Sequence, residues 1–102
     1  MSWYGPPNVV ATQYAQPTTG QTVAAASGVS ALFLDPAGTL LALTVELPAN
    51  PVDGQVFMMG SSRIITTLTI TGTIVGTLTT LALGGFARFC YSASASKWFR
   101  VG

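Results

Sequence analysis

Ile64–Ala87 reads IITTLTITGTIVGTLTTLALGGFA, 24 consecutive uncharged residues held between Arg63 and Arg88. Length alone matches the roughly 20 apolar residues that carry a helix across a bilayer. The residue types point elsewhere. Eight of the 24 are Thr, four are Gly and much of the rest is β-branched, a mixture that disfavours helix and suits a pleated surface. Leu68 and Ile70 alternate with Thr67, Thr69 and Thr71, the period of two of a half-buried strand. No basic cluster flanks the stretch to set a membrane orientation. It is read as strands and turns, and no membrane partner is expected.

The same texture extends in both directions from this stretch. Short apolar or Thr-rich runs at Gln21–Ala26, Ser30–Leu34, Leu40–Leu47, Gln55–Gly60, Ile64–Thr71, Thr79–Leu83, Phe86–Ser92 and Lys97–Val101 are candidate strands. Between them lie turn signals such as Ser27-Gly28, Asp35-Pro36-Ala37-Gly38, Asp53-Gly54 and Gly84-Gly85. No window carries a capped helical period. The spacing predicts an all-β domain over residues 20–102: a small antiparallel β-sandwich or jelly-roll-like barrel of about seven to eight strands.

Residues 1–19, MSWYGPPNVVATQYAQPTT, read differently. Pro6, Pro7 and Pro17 block helix, and three large aromatics, Trp3, Tyr4 and Tyr14, sit on a segment with no period. The segment either folds back on its own core or is an extended arm whose aromatics anchor on another subunit. There is no basic n-region or unbroken apolar stretch of a signal peptide, so synthesis in a cytoplasm is expected.

Face assignments follow from alternation. In Phe86–Tyr91, Ala87, Phe89 and Tyr91 share one face, with Arg88 and Cys90 on the other. In Lys97–Val101, Phe99 and Val101 oppose Trp98 and Arg100. Trp98, Arg100 and Arg88 are thereby candidates for an aromatic, cationic face between subunits. The run LLALTVEL (residues 40–47) does not alternate, which predicts a strand covered on both sides. So small a domain has few layers to cover it, so an oligomer is expected.

Only seven residues are charged (Asp35, Glu46, Asp53, Arg63, Arg88, Lys97, Arg100), 7% of the chain, while 49% is hydrophobic. That balance excludes disorder. A net charge of +1 leaves too few cations for phosphate contacts, so nucleic acid is not an expected partner. There is no histidine and one cysteine, Cys90, which removes the usual catalytic triads, the commonest metal ligand and any intrachain disulfide. Asp35 and Asp53 sit in turn sequences where a carboxylate accepts backbone hydrogen bonds, a better reading than a paired acid and base. Cys90, between Phe89 and Tyr91, reads as an inert thiol, and the glycines match no phosphate loop. The dense Thr reads as the solvent face of strands, with a surface stacked on symmetry mates or a sugar- or ice-binding face as alternatives. Trp98 with Asn50 or Gln55 is the one candidate sugar cluster. The chain is expected not to be an enzyme and to hold no cofactor or metal.

Thr39–Gln55, TLLALTVELPANPVDGQ, then IITTLTITG (64–72), GFARFCY (85–91) and KWFRVG (97–102) resemble, in that order, recurring phrases of tailed-bacteriophage virion β-modules. The likeness spans about residues 20–102. Modules of this kind occur in head fibres, capsid decoration proteins and tail fibres, commonly as trimers, and bring no catalytic set. The resemblance implies a structural protein of the virion, made in the host cytoplasm and sited on the capsid surface. There a homotrimer would bind the major capsid protein or other virion proteins and stabilise the shell as a decoration (cement) or head-fibre protein. The alternative is a tail-fibre or adaptor module for host attachment through carbohydrate. With no long shaft or repeats in its 102 residues, the chain is expected to be a decoration protein or short fibre base. Trp3, Tyr4 and Tyr14 are then the expected arm anchors.

Overall fold

The computed structural model describes residues 11–102. Among these residues nine strands form: β1 (Ala11–Ala15), β2 (Thr22–Ala24), β3 (Val29–Leu34), β4 (Leu43–Glu46), β5 (Val56–Ser61), β6 (Leu68–Thr71), β7 (Ile74–Val75), β8 (Phe86–Ser92) and β9 (Lys97–Arg100). The fold is all-β, as the sequence predicts. The Ile64–Ala87 stretch is divided among β6, β7, loops and the start of β8. Among the described residues no helix is long and apolar enough to cross a membrane.

The pairing departs from an antiparallel sandwich. A six-stranded sheet has the order β1-β3-β5-β8-β9-β7, and a three-stranded sheet the order β2-β4-β6. The chain crosses from one sheet to the other at each step from β1 to β6, and every pairing among these six strands is parallel. β1 with β2, β3 with β4, and β5 with β6 thus make three stacked coils, a solenoid-like winding. The physical reason lies in the connections. A hairpin returns a strand beside its predecessor, whereas here each connection turns a corner that delivers the chain to the opposite sheet. Thr19 braces one corner, its Oγ1 accepting hydrogen bonds from the Leu41 and Ala42 amides at 2.9 and 3.1 Å. That corner also corrects the reading of residues 40–47. Leu40 bridges Ile65, Leu41 is 69% exposed, and the regular strand begins only at Leu43. The run fails to alternate because it bends.

Parallel stacking brings like residues of successive coils into register within each sheet. Val23, Val45 and Ile70 form one inward ladder and Leu43 with Leu68 a second. From the larger sheet, Leu32, Met59 and Ala87 line up, as do Phe57 and Phe89. All of these are buried. Each large side chain so buried contributes about 1.5–3 kcal/mol. The winding ends where β8 runs antiparallel to β5 and β9 returns antiparallel to β8. Gly85 opens β8 where a Cβ would lie 2.8 Å from the Ala82 carbonyl oxygen and 2.9 Å from its nitrogen; only glycine fits. Asp53 Oδ1 accepts the Ala93 amide at 2.9 Å, fixing the β8–β9 turn from the turn that opens the neighbouring β5.

The segment read as an arm is partly sheet. Residues 11–15 are β1, paired along β3; residues 1–10 lie outside the described residues.

Candidate interaction surface

Strand pairing dictates which side chains share the outward face of the six-stranded sheet. One row across it is Tyr14, Phe33, Gly60 and Phe86. The next carries Thr12, Ala31, Met58 and Arg88, and a third Val56, Cys90, Phe99 and Val75. Val101 adjoins Arg88, its amide donating to the Arg88 carbonyl at 2.7 Å. Of twelve large hydrophobic side chains exposed among the described residues, eight belong to this face: Tyr14, Phe33, Val56, Met58, Val75, Phe86, Phe99 and Val101. Phe86 is 70% and Phe33 50% exposed. Arg88 is the one charged residue in these rows. Gly60 has no side chain, so a groove of about 360 Å³ opens between Phe33 and Phe86, with Met58 and Arg88 on its wall. Soluble chains rarely leave so continuous an apolar surface uncovered unless it binds something.

The outward face of the three-stranded sheet is chemically opposite. Thr22, Thr44 and Thr69 form one row, and Ala24, Glu46 and Thr71 the next. Thr hydroxyls and a carboxylate are content in water, which agrees with the solvent-face reading of the Thr-rich strands.

At the end of the apolar face a polar clasp ties the three coils. Asp35, after β3, accepts the Tyr14 hydroxyl at 2.5 Å on Oδ2 and the Ser62 hydroxyl at 2.6 Å on Oδ1. Tyr14 comes from the first coil and Ser62 from the third. The Ser62 bond, then the Tyr14 bond and the nearby Arg63 charge, hold the Asp35 carboxyl below its ordinary value. The same bond to Asp35 raises the Tyr14 phenol. Asp35 therefore joins coils rather than only shaping its own turn. Gln13 does similar work, its side-chain amide donating to the Ala24 carbonyl and accepting from the Ala26 amide, both at 2.9 Å.

The residues singled out by sequence do not converge. Trp3 and Tyr4 lie outside the described residues. Tyr14 is held in β1 with its ring on the apolar face. Arg88 is on that face too. Trp98 is not: it is 4% exposed and packs edge-on against Phe57 and Tyr91, with centroids 6.5 and 5.3 Å away. Its inward side is the core, so it is a packing residue rather than part of an intersubunit face. Arg100, at the rim of that inward side, is exposed and donates from Nε to the Gly102 carbonyl at 3.2 Å. Burial of Trp98 also dissolves the cluster with Asn50 or Gln55, whose Oε1 instead accepts the Val52 amide. Sequence reading missed Phe33, Met58 and Phe86. Phe86 was within reach, since it stands two residues before Arg88 and so shares its face. Phe33 and Met58 needed the parallel register.

No protein-family model matches this chain, and no curated protein matches it either.

Proposed function

We propose that this chain is a structural virion protein: a capsid decoration (cement) or head-fibre subunit that, as a homotrimer, binds the major capsid protein and stabilises the shell. The observation that carries this reading is the apolar outward face of the six-stranded sheet, whose three central rows hold Arg88 as their one charge, with Lys97 in the row beyond. Such a face suits a subunit whose final surface is completed by neighbours. The resemblance of residues 20–102 to phage virion modules supplies the setting.

The action is mechanical. At about 25 cal/mol per Å² of apolar area, an interface of standard size, repeated over a lattice, adds substantial resistance to internal pressure. Trp3 and Tyr4 are, in this reading, the arm contacts to the capsid protein or an adjacent subunit. Tyr14 acts from within the sheet. The tail-fibre or adaptor alternative needs a ligand-reading end. The Ala93–Ser96 turn offers only Ala and Ser, and Gly72–Gly76 only Gly, Thr, Ile and Val, thin equipment for sugar specificity.

Copy number per virion, by quantitative mass spectrometry against the major capsid protein, tests the reading. Hundreds of copies are expected. A few to a few tens would move the protein to the tail and overturn the decoration role. A companion variant lacking residues 1–10, which spares β1, is expected to fold and to lose co-sedimentation with the particle. Full occupancy by that variant would remove the arm from the account.

A further inference from the structure

We infer that the outward face of the six-stranded sheet is covered by a second copy of this chain, with Phe86 of one copy seated in the slot over Gly60 of the other. The inference rests on reading that face as an assembly surface and names its occupant.

Three observations select a second copy. The first is area. With aromatic side chains of ~150–250 Å² each, the eight exposed apolar side chains of this face present on the order of 700 Å². A stable interface takes about 800 Å² from each partner, so the face is the size of one complete protein–protein contact. The second is composition. Tyr, Phe, Met and Arg fill the three rows, while Lys97 and Asp35 stand at their edges; an apolar centre with a charged rim matches a self-association interface, whose centre is more apolar than that of a transient one. The third is self-complementarity. Gly60 and Phe86 are cross-strand partners, so a slot and the most exposed aromatic of the face lie side by side. Bringing two such faces together lets each copy's knob meet the other's hole, and a rotationally closed assembly requires that a patch and its complement sit on the same chain. The slot is open by choice of residue. A Cβ at Gly60 would meet only the Gly85 carbonyl oxygen at 3.7 Å, ordinary contact, and its φ is not in the left-handed region. The fold itself does not demand glycine there.

That last point makes the experiment clean. The mass of the full chain and three variants is measured by light scattering at micromolar concentration, alongside thermal melting by circular dichroism. The wild type is expected at a multiple of 10.5 kDa. Gly60→Leu fills the slot and Phe86→Ser removes the knob; both are expected at the single-chain mass while keeping the β spectrum. Leu83→Ser, exposed but outside the rows, is expected to leave the multimer intact. A monomeric wild type overturns the inference, as does a multimer that both slot and knob variants retain. A wild-type monomer that associates only after removal of residues 1–10 also overturns it, because the chain's own terminus would then be the cover. A monomer that still binds the particle in hundreds of copies overturns the inference alone and leaves the virion reading standing. A multimer at low copy number does the reverse.

Discussion

The outward faces of the two sheets differ as sharply as inside and outside usually do. Across the larger sheet run Tyr14, Phe33, Met58 and Phe86; across the smaller run Thr22, Thr44 and Thr69. β1 to β6 alternate between the two sheets, β8, β9 and β7 extend the larger one, and both sheets turn Val, Leu, Met or Phe inward. The core is thus supplied twice over by the same rule, and the asymmetry outside it is not required for folding. A Thr face suffices for a solvent-facing sheet. The aromatic face exceeds what the fold needs, which is what the proposed covering by a second copy requires.

The comparison can be broken from the inside first. Phe57→Ala empties a fully buried ring site and is expected to lose about 3–5 kcal/mol, read by urea melting. Phe86→Ser on the other side of the same sheet should cost the isolated chain less than about 0.5 kcal/mol while abolishing association. If the two variants destabilise the monomer equally, the outer face is part of the core after all. Gly85→Ala is expected next in size, at about 1–3 kcal/mol, because the new methyl must displace the Ala82 backbone.

The clasp at the edge of the apolar face gives a pH dependence. Asp35 has a lowered carboxyl in the folded chain, so its contribution is present above the ordinary Asp range and is lost as pH falls through the folded-state value. Tyr14 has a raised phenol, so its contribution holds below the ordinary Tyr value and is lost as pH climbs from there through the folded-state value. Melting temperature should drop at both ends. Asp35→Asn should flatten the acid limb, and Tyr14→Phe the alkaline one. An unchanged acid limb in the Asn variant contradicts the clasp. The smallest effect belongs to Ser96, a non-glycine residue at φ 55° in the β8–β9 turn. Ser96→Gly is expected to gain about 0.5 kcal/mol by relieving that conformation.

The all-β class and the inward faces of β8 were legible because alternation is local. Ala87 and Phe89 fall inward as their spacing requires. The winding was not legible. Val45 and Ile70 stand 25 positions apart, as do Leu40 and Ile65, but Val23 precedes Val45 by 22 and Tyr14 precedes Phe33 by 19. Unequal loops hide the repeat, although LTVE at 43–46 and LTIT at 68–71 carry its trace. Register is a long-range property: the parallel β3–β5 pairing sets Phe33 beside Gly60, and the antiparallel β5–β8 pairing sets Gly60 beside Phe86. Trp98 was misplaced for a related reason. Next to Arg100 its side of β9 looks like surface, and only Phe57 and Tyr91, brought against it by folding, make it core.

Cys90, the only cysteine, lies on the apolar face between Val56 and Phe99. It offers the most direct test of the contrast between the faces. Maleimide labelling of Cys90 is followed as protein concentration rises, beside Thr69→Cys in a Cys90→Ser background. The account predicts that Cys90 slows by roughly tenfold or more as the chains associate, because a covered thiol is unreactive, while position 69 keeps its rate. Equal, concentration-independent labelling at both positions, or protection at 69 with Cys90 left open, would contradict it.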